Sequence, residues 1–142
     1  MITEPRVARR EDIPGMHAVR RAVRENRLTT DAVTEASYAP AMFETGRGWV
    51  VEVDGAVAGF AVGNARTGNI WALFVHPDHE GLGIGRALMD VMVDWLFAQG
   101  LERLNLTTEP GTRAQRFYET AGWTRVGVDA RGDAAFELAR PA

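Results

Sequence analysis

The chain has 142 residues, a net charge of −3, 46% hydrophobic and 25% charged residues, which suits one soluble globular domain over residues 1–142. It contains no cysteine, excluding a disulfide framework, thiolate metal sites and a cysteine nucleophile, and its acidic balance argues against nucleic acid as an obligate partner. The start shows no signal-peptide core, and the longest apolar stretch, Ala87 to Ala98, is broken by Asp90 and Asp94, so a cytoplasmic protein without membrane contact is expected.

Ile2 to Arg9 reads as an edge strand, because Pro5 favours an edge position. Asp12 is a candidate N-cap, with Pro14 in the first turn of a helix carrying Met16, Val19, Arg20 and Val23. Its arginines (Arg20, Arg21, Arg24 and Arg27) are most simply a solvated face. A second helix is expected from Thr30-Asp31 through Ala41 to Glu44, ended by Gly46 and Gly48. The period then changes to two. Trp49 to Val53, the turn Asp54-Gly55 and Ala56 to Val62 form a hairpin pattern, and Asn69 to Val75 is the next strand.

The organising stretch runs from Leu73 to Leu88. Leu73, Phe74 and Val75 have strand-type bulk, and Pro77 holds His76 extended. Gly81, Gly83 and Gly85 follow, then a helix with Leu88, Val91, Met92, Trp95 and Leu96 on one stripe, ended at Gly100. A glycine turn opening a helix offers free N–H groups at the positive end of a dipole, which suits phosphate oxygens. No Gly-Lys-Ser/Thr is present, and the spacing is Gly-x-Gly-x-Gly rather than Gly-x-Gly-x-x-Gly, so neither common nucleotide fingerprint fits.

After the central helix, Glu102 to Thr108 alternates and is expected beside the Asn69–Val75 strand. Thr112 caps a helix to Ala121, and Trp123–Val128 and Ala134–Ala139 close the chain. The order is β-α-α-β-β-β-α-β-α-β-β, an α/β fold with a mixed sheet and helices on its faces. Val75-x-Pro77 followed by the three glycines resembles the acetyl-coenzyme A motif of the GNAT superfamily of N-acetyltransferases. Ala114, Tyr118, Gly122 and Trp123 match that family's second motif in spacing, and the element order agrees along essentially the whole chain.

The resemblance implies a GNAT-like acyl-coenzyme A N-acyltransferase fold and transfer of acetyl from acetyl-coenzyme A to a primary amine, directly in a ternary complex. It implies that Leu73, Phe74 and Val75 pair with the pantetheine arm and that Gly81, Leu82, Gly83, Ile84, Gly85, Arg86 and Ala87 hold the pyrophosphate. Arg113 and Phe117 complete the cofactor set, and Tyr118 stands beside the coenzyme sulfur as the catalytic residue. A phenol suits that place: the leaving thiolate belongs to a thiol of pKa ~8.5, and a neutral tyrosine donates to it. Packing is the plain alternative for Tyr118, with Phe117 expected to fill the core instead. No metal is implied, since His17, His76 and His79 are scattered.

The chain departs from the family pattern in three ways. Strand Asn69–Val75 has no carboxylate to take the amine proton, which leaves Glu52 and Glu25 as distant candidates. Glu80 stands where Arg or Gln is usual and is expected to repel a pyrophosphate. Gly111 replaces a common Asn. The acceptor, a small molecule or a peptide, is expected near Asn26 to Tyr38, where Asp31 and Glu35 suit a cationic amine. Trp49, Trp71 and Tyr38 are either acceptor-side or core. The rival reading is a non-catalytic acyl-coenzyme A sensor, and the choice between monomer and homodimer stays open.

Overall fold

The computed structural model describes residues 1–25 and 33–141, with the side chains of Arg24 and Glu25 outside that description. The elements are β1 (Arg6–Val7), α1 (Ile13–Glu25), β2 (Gly46–Val53), β3 (Ala56–Asn64), β4 (Ile70–Val75), α2 (Ile84–Ala98), β5 (Arg103–Thr108), α3 (Arg113–Thr120), β6 (Thr124–Val128) and β7 (Ala134–Ala139). They form two antiparallel sheets, ordered β1-β2-β3-β4 and β5-β7-β6.

The expected neighbours β4 and β5 do lie together, but they touch through a single parallel bridge, Asn69 to Asn105. Asn69 Nδ2 donates to Asn105 Oδ1 at 2.8 Å, and Asn105 Nδ2 donates to the Thr67 carbonyl at 3.1 Å. Beyond that pin the sheets separate. The β2–β3 hairpin turns at Asp54 (φ 51°) and Gly55 (φ 86°), both left-handed, as a two-residue turn requires.

The core is divided by the first sheet. On one face α1 packs Met16 and Val19 against Val50, Phe60, Val62 and Ala72. On the other, α2 contributes Ile84, Leu88, Met89, Met92 and Leu96 to a cluster that extends to Leu104, Leu106 and Phe136 of the second sheet. Trp123 belongs to this cluster and donates its indole N–H to the Met89 sulfur at 3.3 Å. At about 25 cal/mol per Å² of apolar surface, burial at this shared cluster is what holds the two sheets to one helix.

Two expectations need correction. Of the expected second helix, residues 30–32 lie outside the described residues. The remainder is helical from Glu35 to Glu44 but irregular: a 3-10 turn at Glu35–Ser37 runs through Tyr38 and Ala39 into a π-type turn at Pro40–Glu44, in which Thr45 N–H reaches back to the Pro40 carbonyl at 3.1 Å. Pro40 lacks an N–H and cannot continue an ordinary helix through its own position. Asp12 is not a simple cap either. A 3-10 turn (Arg10–Asp12) precedes α1, and the Asp12 carboxylate takes two bonds from Arg6, 2.8 and 2.9 Å, and one from the Arg9 N–H. The Arg6 bond holds that carboxyl below the usual aspartate range.

Candidate functional site

The separation between β4 and β5 opens a cleft of about 1260 Å³, larger than the roughly 300–1,000 Å³ typical of small-molecule pockets. Its rim begins on β4. The His76 N–H bonds to the Ala58 carbonyl, so by antiparallel alternation Phe74 also turns its main chain to β3. Leu73 and Val75 then direct their N–H and C=O groups to the open side. Pairing breaks register where Val62 faces Ala72 and Gly63 faces Ile70, leaving Trp71 as the extra residue of a bulge. The bulge carries Trp71 to the α1 face with Ala72 and Phe74, while Leu73 and Val75 join the α2 face.

Past β4, His76 caps a short turn by accepting the Asp78 N–H on Nδ1 at 3.1 Å. Gly81 and Gly83 have φ of 80° and 83°, a conformation that costs a side-chain-bearing residue about 1 kcal/mol or more. Gly83 immediately precedes α2, whose first-turn amides have no carbonyl one turn earlier to bond. Gly85 differs, since a Cβ there would meet Val75 and Phe117 at an ordinary 3.5–3.6 Å.

Helix α3 supplies the opposite wall. Thr112 Oγ1 accepts the Gln115 N–H and caps it. Tyr118 is buried among Phe117, Trp123 and Phe136, with ring centroids 5.4–6.2 Å away, and it also lines the cleft. Its hydroxyl has no hydrogen-bond partner among the described residues, and burial pushes that phenol well above its ordinary pKa. The packing assignments are therefore reversed. Tyr118 fills the core, and Phe117 lies half-buried against Gly85.

Of the residues expected at the cofactor, Leu73, Phe74, Val75, Gly81, Gly83, Ile84, Gly85, Arg86, Arg113 and Phe117 line the cleft, whereas Leu82 (54% exposed) and Ala87 do not. Glu80 lines it too, but it is paired with Arg113 at 3.0 Å, so its charge faces a cation rather than an open loop. Glu52 is 3.7 Å from Arg6 at the β2 edge, outside the cleft. Trp49 packs on Trp95 in the core, and Tyr38 is fully buried 3.1 Å from His17 Nδ1; of the three aromatics only Trp71 lines the cleft. Asp31 lies outside the described residues, as does the Glu25 side chain.

Sequence reading missed Arg20, Thr107, Thr108, Glu109, Arg131 and Asp133, all of which line the cleft. Arg20 had a signal: it falls on the same stripe as Met16, Val19 and Val23. It is 7% exposed, and the expectation of a solvated arginine face fails at this position.

A model of the acetyltransferase (GNAT) family matches residues 16–123. Among curated proteins, the chain is 42% identical over 89 residues to a mycothiol acetyltransferase of Beutenbergia cavernae, covering 58% of this chain and 30% of that protein. It is 35% identical over 127 residues to a mycothiol acetyltransferase of Sanguibacter keddieii, covering 82% of this chain and 38% of that protein. The chain thus spans about a third of the length of these relatives. The fold matches that of PaiA N-acetyltransferase of Thermoplasma acidophilum, solved with coenzyme A, at a TM-score of 0.81 and 14% identity over 99% of both chains. It also matches the ribosomal-protein-S18-alanine N-acetyltransferase of Escherichia coli, with a TM-score of 0.74 and 22% identity over 96% of this chain and 91% of that one.

Proposed function

The chain belongs to the acetyltransferase (GNAT) family, and on that premise we propose that it moves an acetyl group from acetyl-coenzyme A to a primary amine by direct transfer, acting as a single domain. The supporting observation is that one cleft gathers the amide-rich start of α2, the unpaired main chain of β4 and Tyr118. These fit the three parts of such a cosubstrate. The glycine-loop and α2 amides suit a pyrophosphate, with Arg86 and Arg113 adding charge. The Leu73 and Val75 main chain suits the amide-bearing arm, as an added strand would.

The chemistry of the thioester end follows from charge development. As the amine nitrogen attacks the carbonyl carbon, the oxygen becomes an oxyanion that a Leu73 or Val75 N–H is suited to hold. The C–N bond forms, the C–S bond breaks, and the Tyr118 hydroxyl donates a hydrogen bond to the leaving sulfur, stabilising its negative charge. The new amide nitrogen gives its excess proton to solvent, and the thiolate is released as such or takes a proton from solvent. Burial keeps the phenol protonated, which suits a hydrogen-bond donor rather than a proton donor.

An acceptor amine of pKa ~10.4 is neutral in only about 1 molecule in 2,500 at pH 7. Since β4 carries no carboxylate, the rate should rise with pH until the acceptor amine is deprotonated.

The test is thiol release from acetyl-coenzyme A across amines and peptides, with Tyr118→Phe in parallel. The variant is expected to lose roughly 10²-fold or more in kcat while binding coenzyme A normally. The wild-type profile should show no basic limb from Tyr118 below pH ~10. Equal rates in both proteins would remove Tyr118 from this role. Coenzyme binding without turnover in either would favour the sensor reading.

A further inference from the structure

The acceptor half of the reaction, which rests on the acetyltransferase reading, has a wall of the cleft to itself. Coenzyme-side groups lie on the α2 and α3 face of the split, whereas Arg20, Val23, Trp71 and Phe74 line the cleft from the α1 face. Arg20 is the buried charge of that face. Its guanidinium lies 4.9 Å from the Phe74 ring centroid and 5.1 Å from that of Trp71, and its other contacts within the chain further fix it. The Trp71 bulge brings both rings to this face, so the backbone irregularity and the arginine clamp are one arrangement.

An arginine has five N–H donors in a planar fork, and it can serve a partner within the chain and a ligand oxygen pair together. A cation held rigidly on a binding wall selects for anionic ligand groups, most strongly for those that accept two parallel bonds.

The β5 and β7 side carries two carboxylates and one guanidinium. Thr108 pairs with Ala134, so the next positions outward are Glu109 and Asp133, and both line the cleft. Arg131 also lines it but is exposed.

We propose that Arg20 is a specificity-determining residue that reads a carboxylate on the acceptor. The preferred acceptor is then an amine that also bears a carboxylate, as in an amino acid or a short peptide with a free C-terminus. Its carboxylate meets Arg20, and its ammonium lies toward the Glu109 and Asp133 side before losing its proton. Of the two acids expected to suit a cationic amine, Glu35 is exposed and does not line the cleft, and Asp31 lies outside the described residues.

The experiment uses matched pairs: L-lysine against 1,5-diaminopentane, L-phenylalanine against phenethylamine, and glycyl-leucine against glycyl-leucinamide. The dipeptide pair keeps the reacting amine unchanged. Each is titrated calorimetrically into the full chain loaded with coenzyme A, and thiol release is followed separately. The wild type should favour the carboxylate-bearing member by roughly tenfold or more in Kd and kcat/KM. Arg20→Met should erase the preference while leaving the Kd for coenzyme A unchanged. Arg20→Lys keeps the charge without the fork and should give an intermediate preference, which preserves the test if the methionine variant does not fold.

Equal binding of both members by the wild type, binding of neither, or a preference that survives in Arg20→Met would overturn the assignment. Failure of the transferase reading looks different. Coenzyme A would bind but no thiol would be released, yet the matched pairs would still score Arg20 by binding; were coenzyme A not to bind, the same pairs titrated into the unloaded chain would score it.

Discussion

Tyr118 shows how one side chain can complete a core and still line a cleft. Its ring completes the cluster around Trp123 and Phe136, while its hydroxyl has no hydrogen-bond partner among the described residues. Helical periodicity assigns the core role to Phe117, because a stripe of spacing does not state which of two adjacent aromatics turns inward. Arg20 illustrates the same ambiguity from the polar side. Its stripe is legible, but residue type overrides position, and arginine is rarely buried without ring or anion contacts. Glu80 supplies the prediction at this scale. In the proposed reading the carboxylate competes with a pyrophosphate for Arg113, so Glu80→Gln should tighten coenzyme A binding a few-fold. The effect should shrink at high salt, and stability should change by at most about 1 kcal/mol because the pair is largely exposed. Isothermal titration at two ionic strengths checks this, and an unchanged or weaker Kd would refute it.

Among the elements, strands and helices with strong periodicity are readable to within a few residues. Strand β7 lies at its expected bounds, and α3 and its Thr112 cap occur where the sequence places them. The segment from Glu35 to Glu44 is not readable in this way. Tyr38 and Met42 have helical spacing and are both buried, yet Pro40 between them turns the path into a wider loop of backbone bonds. The bulge at Trp71 is also invisible, because an inserted strand residue changes facing without changing composition. The glycine turn at α2 invites a paired test. Gly83→Ala should cost about 1 kcal/mol in stability and weaken coenzyme A binding, since φ of 83° opposes a Cβ. Gly85→Ala, with only ordinary contacts for its methyl, should leave stability near that of the wild type. Denaturant titration and coenzyme binding of the two variants separate these outcomes, and equal losses would show that backbone conformation is not the determinant.

For the whole molecule, sequence indicates that β4 and β5 are neighbours but not that they part company. Nothing in an alternating pattern marks where hydrogen bonding between strands stops. The Asn69–Asn105–Thr67 contacts sit where the two sheets still meet, so Asn105→Ala removes both side-chain bonds there and leaves the Asn105 N–H on the Gly68 carbonyl. It should cost about 1–2 kcal/mol and lower Tm by roughly 3–8 °C, with a higher KM for acetyl-coenzyme A. An unchanged melting curve would mean that α2 and the remaining main-chain bridge hold the sheets in register without these side chains. Residues from both faces of the first sheet line the same cleft. In the proposed reaction donor and acceptor would therefore approach from opposite faces of that sheet. A molecule joining coenzyme A to the acceptor would lie through the sheet like a bolt through a plate, and it should come off far more slowly than either half alone.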